Sequence, residues 1–240
     1  MSIAEKLTTV AENVPKVYEA GKNAEWDEFW DAYQTEGNRT RYDYAFGGLG
    51  WTDKNFKPKY DIRPTRLING FYQTQITDLE GILEKQNTDF DTSQCTQFQY
   101  TFSHSKLTRI PEINITSATN INNMFTTASS LVSIRKLVIN ENNVFAISLF
   151  QNCSNLEHII IEGTIGQNNF DIHWSKNLSG ESIVSIIEAL SSITSGLTVT
   201  LSKTAVNNMI FPITSIQTNN IYDSWATLIA TKSNWTISLV

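Results

Sequence analysis

Phenylalanine recurs along this chain in one setting: an apolar residue, three spacers, then Phe. The unit occurs as Tyr42/Phe46, Leu67/Phe71, Phe98/Phe102, Ile121/Phe125 and, more weakly, Ala146/Phe150. The Phe-to-Phe intervals are 25, 31, 23 and 25 residues. A four-residue spacing puts both side chains on one face of a short helical turn. A second phrase follows three of these Phe residues. Leu107 is followed by Ile110, Ile113 and Ile115; Leu131 by Ile134, Leu137 and Ile139 at the same offsets; Leu156 by Ile159 and Ile161. The end of each phrase alternates apolar and polar, the period of a half-buried strand. Each unit therefore reads as a helical turn, a bend and a strand. No such unit buries its apolar side alone, whereas stacked units share a continuous core with their strands in a parallel ladder. Phe46, Phe71, Phe102, Phe125 and Phe150 are then expected to line up as an internal aromatic spine. The segments after the first two units, such as "WTDKNFKPKYDIRPT", carry Pro and charge and read as irregular loops.

The fold expected on these grounds is an α/β solenoid, a leucine-rich-repeat-like parallel strand ladder with short helical turns over residues 38–175. A stacked array needs covered ends. Residues 176–240 read as a C-terminal α/β cap. "SGESIVSIIEALSS" places Ile183, Ile186, Ile187 and Leu190 on one helical face, with Ser179 as N-cap. "LTVTLS" and "NWTISLV" alternate as strands, the second with Trp235, Ile237 and Leu239 inward, and a further helix is expected over Tyr222 to Lys232. Residues 1–37 read as N-terminal helices. Ile3, Leu7, Val10, Val14 and Val17 follow spacings of four and three, a heptad seam suited to self-association. Trp26, Phe29, Trp30 and Tyr33 form a separate aromatic face, and Pro15 marks a break between helices.

Composition excludes several functions. Net charge is −6 and no basic run exceeds two residues, so the clustered cationic footprint of a nucleic-acid binder is missing. No segment reaches the length of a membrane span. The first residues lack the apolar core of a secretory signal. Cys95 and Cys153 have neither CxxC nor zinc-like spacing; two buried thiols are the preferred reading, with a single disulfide between successive turns as the alternative. His104, His158 and His173 form no metal-spaced pair. Asp171 and His173 are close in sequence, but no motif marks a nucleophile beside them, and "FGGLGW" lacks the Lys-Ser/Thr of a phosphate loop. The expectation is a non-enzymatic protein with no cofactor, no metal site and no catalytic residues.

On a strand ladder, outward side chains of successive strands form one surface. Here that surface comprises Arg109, Glu112, Asn114, Lys136, Asn140, His158 and Glu162. The aromatics of the first loops, Tyr44, Trp51 and Tyr60, are a second candidate surface, or else fill the N-terminal end of the core.

"DTSQCTQFQYTF", "ITSATNINNMF" and "FQNCSNLEHIII" resemble the BspA-type leucine-rich repeat proteins of bacterial surfaces. The likeness covers residues 90–165 well and 40–90 loosely. The N-terminal stretch "AENVPKVYEAGKNAEWDEFWDAYQ", joined to such repeats, is similar to tail or baseplate proteins in phages and prophages of gut Firmicutes. The resemblance implies a virion protein, released by lysis and needing no signal peptide. Its N-terminal helices would attach to other virion proteins or form a homotrimer, and its repeat would recognise a bacterial surface glycan or protein. A purely structural virion subunit and an intracellular repeat protein-binding module are the alternatives.

Overall fold

A computed structural model describes residues 41–48, 50–143 and 148–240. The expected N-terminal helices with their Ile3, Leu7, Val10, Val14 and Val17 seam lie outside the described residues, as does Ala146. In chain order the elements are α1 (Leu79–Gln86), β1 (Arg109–Asn114), β2 (Ser133–Val138), β3 (His158–Glu162), β4 (Phe170–Asp171) and α2 (Gly180–Ala189). They continue with β5 (Leu197–Leu201), α3 (Lys203–Asn207), β6 (Ile213–Thr214), β7 (Ile221–Tyr222), α4 (Trp225–Ala230) and β8 (Trp235–Leu239). Strands β1-β2-β3 and β4-β5-β8 form two parallel sheets, and β6-β7 is an antiparallel pair.

The described residues form a mixed fold of a few short helices and sheets of two or three strands. It corrects the expectation of an α/β solenoid with a leucine-rich-repeat-like ladder across 38–175. Each edge of the first sheet has a physical reason to end. Beyond β3 lies α2 rather than another strand. Its serines occupy the edge: Ser182 Oγ accepts from Ile159 N–H at 2.9 Å and Ser185 Oγ from Ile161 N–H at 2.8 Å. Both hydroxyls also donate back, to the carbonyls of Glu157 and Ile161, each at 3.3 Å. A covered edge offers no template for further pairing. On the β1 side, Asp78, the residue before α1, makes a single bridge to Arg109, and among the described residues the Pro- and charge-rich stretch likewise makes only isolated bridges, Thr52↔Gln75 and Ile62↔Phe90.

The apolar-xxx-Phe phrase is not a helical turn either. The residue two before each of the first four Phe residues has positive φ: Tyr44, Asn69, Tyr100 and Asn123. So does the residue two after: Gly48, Gln73, His104, Thr127 and Asn152. This left-handed interruption turns alternate N–H groups toward the next unit. Tyr42, Tyr44, Phe46 and Gly48 donate to the carbonyls of Arg66, Ile68, Gly70 and Tyr72 at 2.7–2.9 Å. Leu67, Asn69, Phe71 and Gln73 repeat the pattern onto residues Gln97, Gln99, Thr101 and Ser103. Backbone polar groups that would be orphaned in a buried turn are thereby paired.

These rows hold the Phe side chains in register. Phe46, Phe71, Phe102, Phe125 and Phe150 are fully buried. Successive ring centroids lie 5.0, 5.5, 5.4 and 5.2 Å apart. The planes become nearly parallel along the series, from 36° to 18°, 9° and 3°. Phe170 closes it edge-on at 6.0 Å. Each aromatic pair adds about 0.5–1.5 kcal/mol beyond burial. The expected spine therefore forms, supported by turns rather than by a long strand ladder.

The C-terminal expectations fare well locally. Ser179 Oγ accepts from Ser182 N–H at 3.2 Å, capping α2, and Ile183, Ile186, Ile187 and Leu190 are buried. Val199 and Leu201 of β5 are buried. Strand β8 buries Trp235 but leaves Leu239 38 % exposed, because β8 is the edge of its sheet. Cys95 and Cys153 are free and buried, so the two-thiol reading holds over the disulfide. Burial pushes both thiols up to about 12.

Candidate functional site

Strand alternation sends consecutive residues to opposite faces. Arg135 and Lys136 break that rule, and the pairing shows how. Ile134 pairs with Ile159 but Leu137 with Ile161, so two residues of β2 oppose one of β3. This bulge leaves both cations at the surface instead of forcing one into the core. Lys136 Nζ lies between Glu162, at 2.9 Å, and Glu112, at 3.3 Å, and so ties all three strands together. The bond to Glu162 is the main reason its pKa is raised. Arg135 reaches the other way, to Glu80 at 3.4 Å and Glu84 at 3.8 Å on α1. Arg109 pairs with Asp78, the N-cap of α1, across Gly81. A Cβ on Gly81 would collide with both partners, so glycine there lets the arginine cross the helix start.

Between α1, the loop that follows it and the outer side of β1 runs an open groove of about 740 Å³. Its walls carry the carboxylates of Asp61, Glu80, Glu84, Asp89, Asp91 and Glu112, with Arg135 and Asn114 among them. Asn87 turns the chain out of α1 in a left-handed C-cap, which brings Asp89 and Asp91 back over the groove. Arg63 gathers that rim: Asp61 at 2.8 Å, Asp91 at 2.9 Å and Asp89 at 3.9 Å. Asp61 is held below its ordinary pKa by the N–H of Asp89 first and Arg63 next. Asp91 is held down by the N–H of Ser93 first. Glu80 moves the other way, because burial disfavours its charge. The groove is thus a polar trough with fixed acceptors and one guanidinium donor in its wall.

The structure sorts the residues expected from sequence. Glu112 and Asn114 line the groove, and Lys136 and Glu162 adjoin it through Glu112. Arg109 is drawn onto Asp78. His158 is exposed at the start of β3. Asn114 Oδ1 accepts from Thr116 N–H and hydroxyl, at 3.0 and 2.6 Å, which fixes the end of β1. Asn140 is also spent on structure: its Oδ1 accepts from Asn142 N–H at 2.7 Å and its Nδ2 donates to the Thr116 carbonyl. Tyr44 and Tyr60 are 69 % and 50 % exposed. Trp51 instead packs edge-on against Phe46 and Phe56 at 5.6 and 6.0 Å, filling the N-terminal end of the core.

Sequence reasoning missed the α1 wall and the Arg63 rim. A signal for α1 exists: in "TDLEGILEKQN", Asp78 is an N-cap, Lys85 lies in the last turn and Asn87 stops the helix. The adjacent Arg135 and Lys136 inside an alternating phrase likewise mark a bulge. Among the described residues, no group of three or more His, Cys, Asp or Glu is arranged to hold a metal ion. No helix among them is long and apolar enough to cross a membrane. No protein-family model, curated protein or solved structure matches this chain.

Proposed function

We propose that this chain is a non-enzymatic recognition protein of a phage tail or baseplate. It meets a glycan or protein of the bacterial host surface with the β1–β3 face and the groove beside it, and other virion proteins with its N-terminal residues. The observation that carries the binding reading is the open groove, whose polar side chains are already held by ion pairs and backbone hydrogen bonds. A site ordered before binding loses little side-chain entropy when the ligand arrives. The virion reading rests on the resemblance of residues 11–34 to tail proteins. Many copies on one particle would reinforce weak individual sites.

The test is retention of the full chain by purified cell walls of gut Firmicutes, before and after removal of wall polysaccharide. Retention is expected, and the double variant Glu84→Lys/Asp89→Lys is expected to abolish it. Both positions are exposed, so the fold should survive the change. No retention by any wall fraction, or equal retention of the variant, would sink the groove as the recognition surface. Protection of the groove from solvent in an assembled particle would favour a purely structural subunit.

A further inference from the structure

We propose that the cavity around Trp174 binds an anionic saccharide unit, a sugar ring carrying a carboxylate or a phosphate. The cavity measures about 450 Å³ and is lined by His173, Trp174, Lys176, Lys203, Thr204 and Asn207. That volume falls within the range of small-molecule sites.

Trp174 is the centre of the argument. Trp235 is buried, and Trp51 and Trp225 pack against the core, whereas Trp174 is 38 % exposed. Its indole is nevertheless held in place. The His173 ring lies 4.8 Å from it at 35°. His173 is in turn fixed by Asp171 Oδ1, which meets His173 Nδ1 at 2.6 Å and its N–H at 3.1 Å. Asp171 belongs to β4, which pairs with β5 at Thr200. A rigid chain of contacts thus runs from the sheet to an indole at the surface. An indole held at the surface gives an apolar face beside polar neighbours. The C–H face of a pyranose is complementary to such a platform, and its hydroxyls reach outward to side chains like Asn207 and Thr204.

Charge selects among sugars. Lys176 and Lys203 are both exposed at the cavity, and neither forms an ion pair with a described residue. The Asp171 carboxylate behind the cavity is occupied by His173, and Val240 completes the lining beside Lys203. Two unengaged ammonium groups beside an aromatic platform favour a ring with an acidic substituent, since charge-assisted hydrogen bonds are the stronger ones. This site shares no lining residue with the acidic groove and stands independently of it.

Saturation-transfer NMR and calorimetry on the full chain test the proposal, with N-acetylneuraminic acid, methyl glucuronide, glucose 6-phosphate and neutral methyl glucoside as probes. At least one acidic sugar is expected to bind. Trp174→Ala is expected to weaken it about tenfold or more. Lys176→Met/Lys203→Met is expected to bring it down to the level of the neutral probe. The preferred acidic probe distinguishes carboxylate from phosphate. The proposal falls if no acidic sugar binds, if the neutral sugar binds equally well, or if Trp174→Ala leaves affinity unchanged. It also falls if inorganic phosphate alone binds as tightly as the sugar phosphate, which would mean an anion site without sugar recognition. Each of these failures leaves wall retention through the groove unaffected, so the two readings fail separately.

Discussion

The aromatic stack is the feature on which stability should depend most, and Phe125 is its best probe. The ring is fully buried and lies between Phe102 and Phe150, nearly parallel to both at 9° and 3°. Truncation of a buried Phe to Ala costs about 3–5 kcal/mol through lost burial and the cavity left behind. Two ring contacts of about 0.5–1.5 kcal/mol each place this site at the upper end of that range. Phe125→Leu separates the terms. It keeps much of the apolar volume and loses both ring contacts, so a cost of about 1–3 kcal/mol is expected. Urea denaturation with an unchanged slope reads these values as midpoint shifts. For a chain of this size, the Ala variant should melt about 10 °C lower or more. A double-mutant cycle of Phe125→Leu with Phe102→Leu should return a coupling of about 0.5–1.5 kcal/mol. If Phe125→Leu costs less than about 0.5 kcal/mol, or the coupling is nil, the rings are merely apolar filler and the stacking argument is wrong.

Three further outcomes follow from the geometry. Ser185→Ala strips the buried Ile161 N–H of its acceptor. It should cost about 1–3 kcal/mol, with faster hydrogen exchange at Ile161; unchanged exchange would deny α2 its role in closing the sheet edge. Tyr100 has φ 54° and an exposed ring, so Tyr100→Asn should stabilise the protein by about 0.5–1 kcal/mol; a loss in thermal denaturation would show that the tyrosine makes a compensating contact. Asp61 and Asp91 have folded pKa values below the ordinary 3.8. Their stabilisation is therefore present above that pH and lost as pH falls through the lowered values. Arg63→Ala removes part of the cause and should raise the midpoint of acid unfolding, and an unmoved midpoint would show that the backbone donors alone set these carboxyls.

The surface argument depends on the β2 bulge. A regular strand would place either Arg135 or Lys136 inward, where an unpaired charge is prohibitively costly. The extra residue lets one cation brace α1 and the other brace β1 and β3. The polar face is therefore ordered by this irregularity, whereas the length of the ladder is set at the β3 edge by Ser182 and Ser185.

By itself the sequence determined what local spacing can determine. The recurrence of Phe, the alternation after Leu107, Leu131 and Leu156, the serine cap and apolar face of α2, and the alternation of β5 all survive into the structure, because each depends on neighbours within a few residues. The width of the ladder was not legible. Whether β3 finds another strand depends on what packs against its edge, and that is settled by Ser182 and Ser185, more than twenty residues downstream. The helical turn inferred from a four-residue spacing failed for a related reason. Two side chains can also reach one core from a left-handed turn when the next unit accepts its N–H groups. The groove and the Trp174 cavity were equally hidden. Asp61, Glu84, Asp91 and Arg135 come from separate segments, and Trp174 and Lys203 line one cavity because β4 and β5 lie side by side. Periodicity records which face of an element is buried, and tertiary packing alone decides which exposed groups share a site.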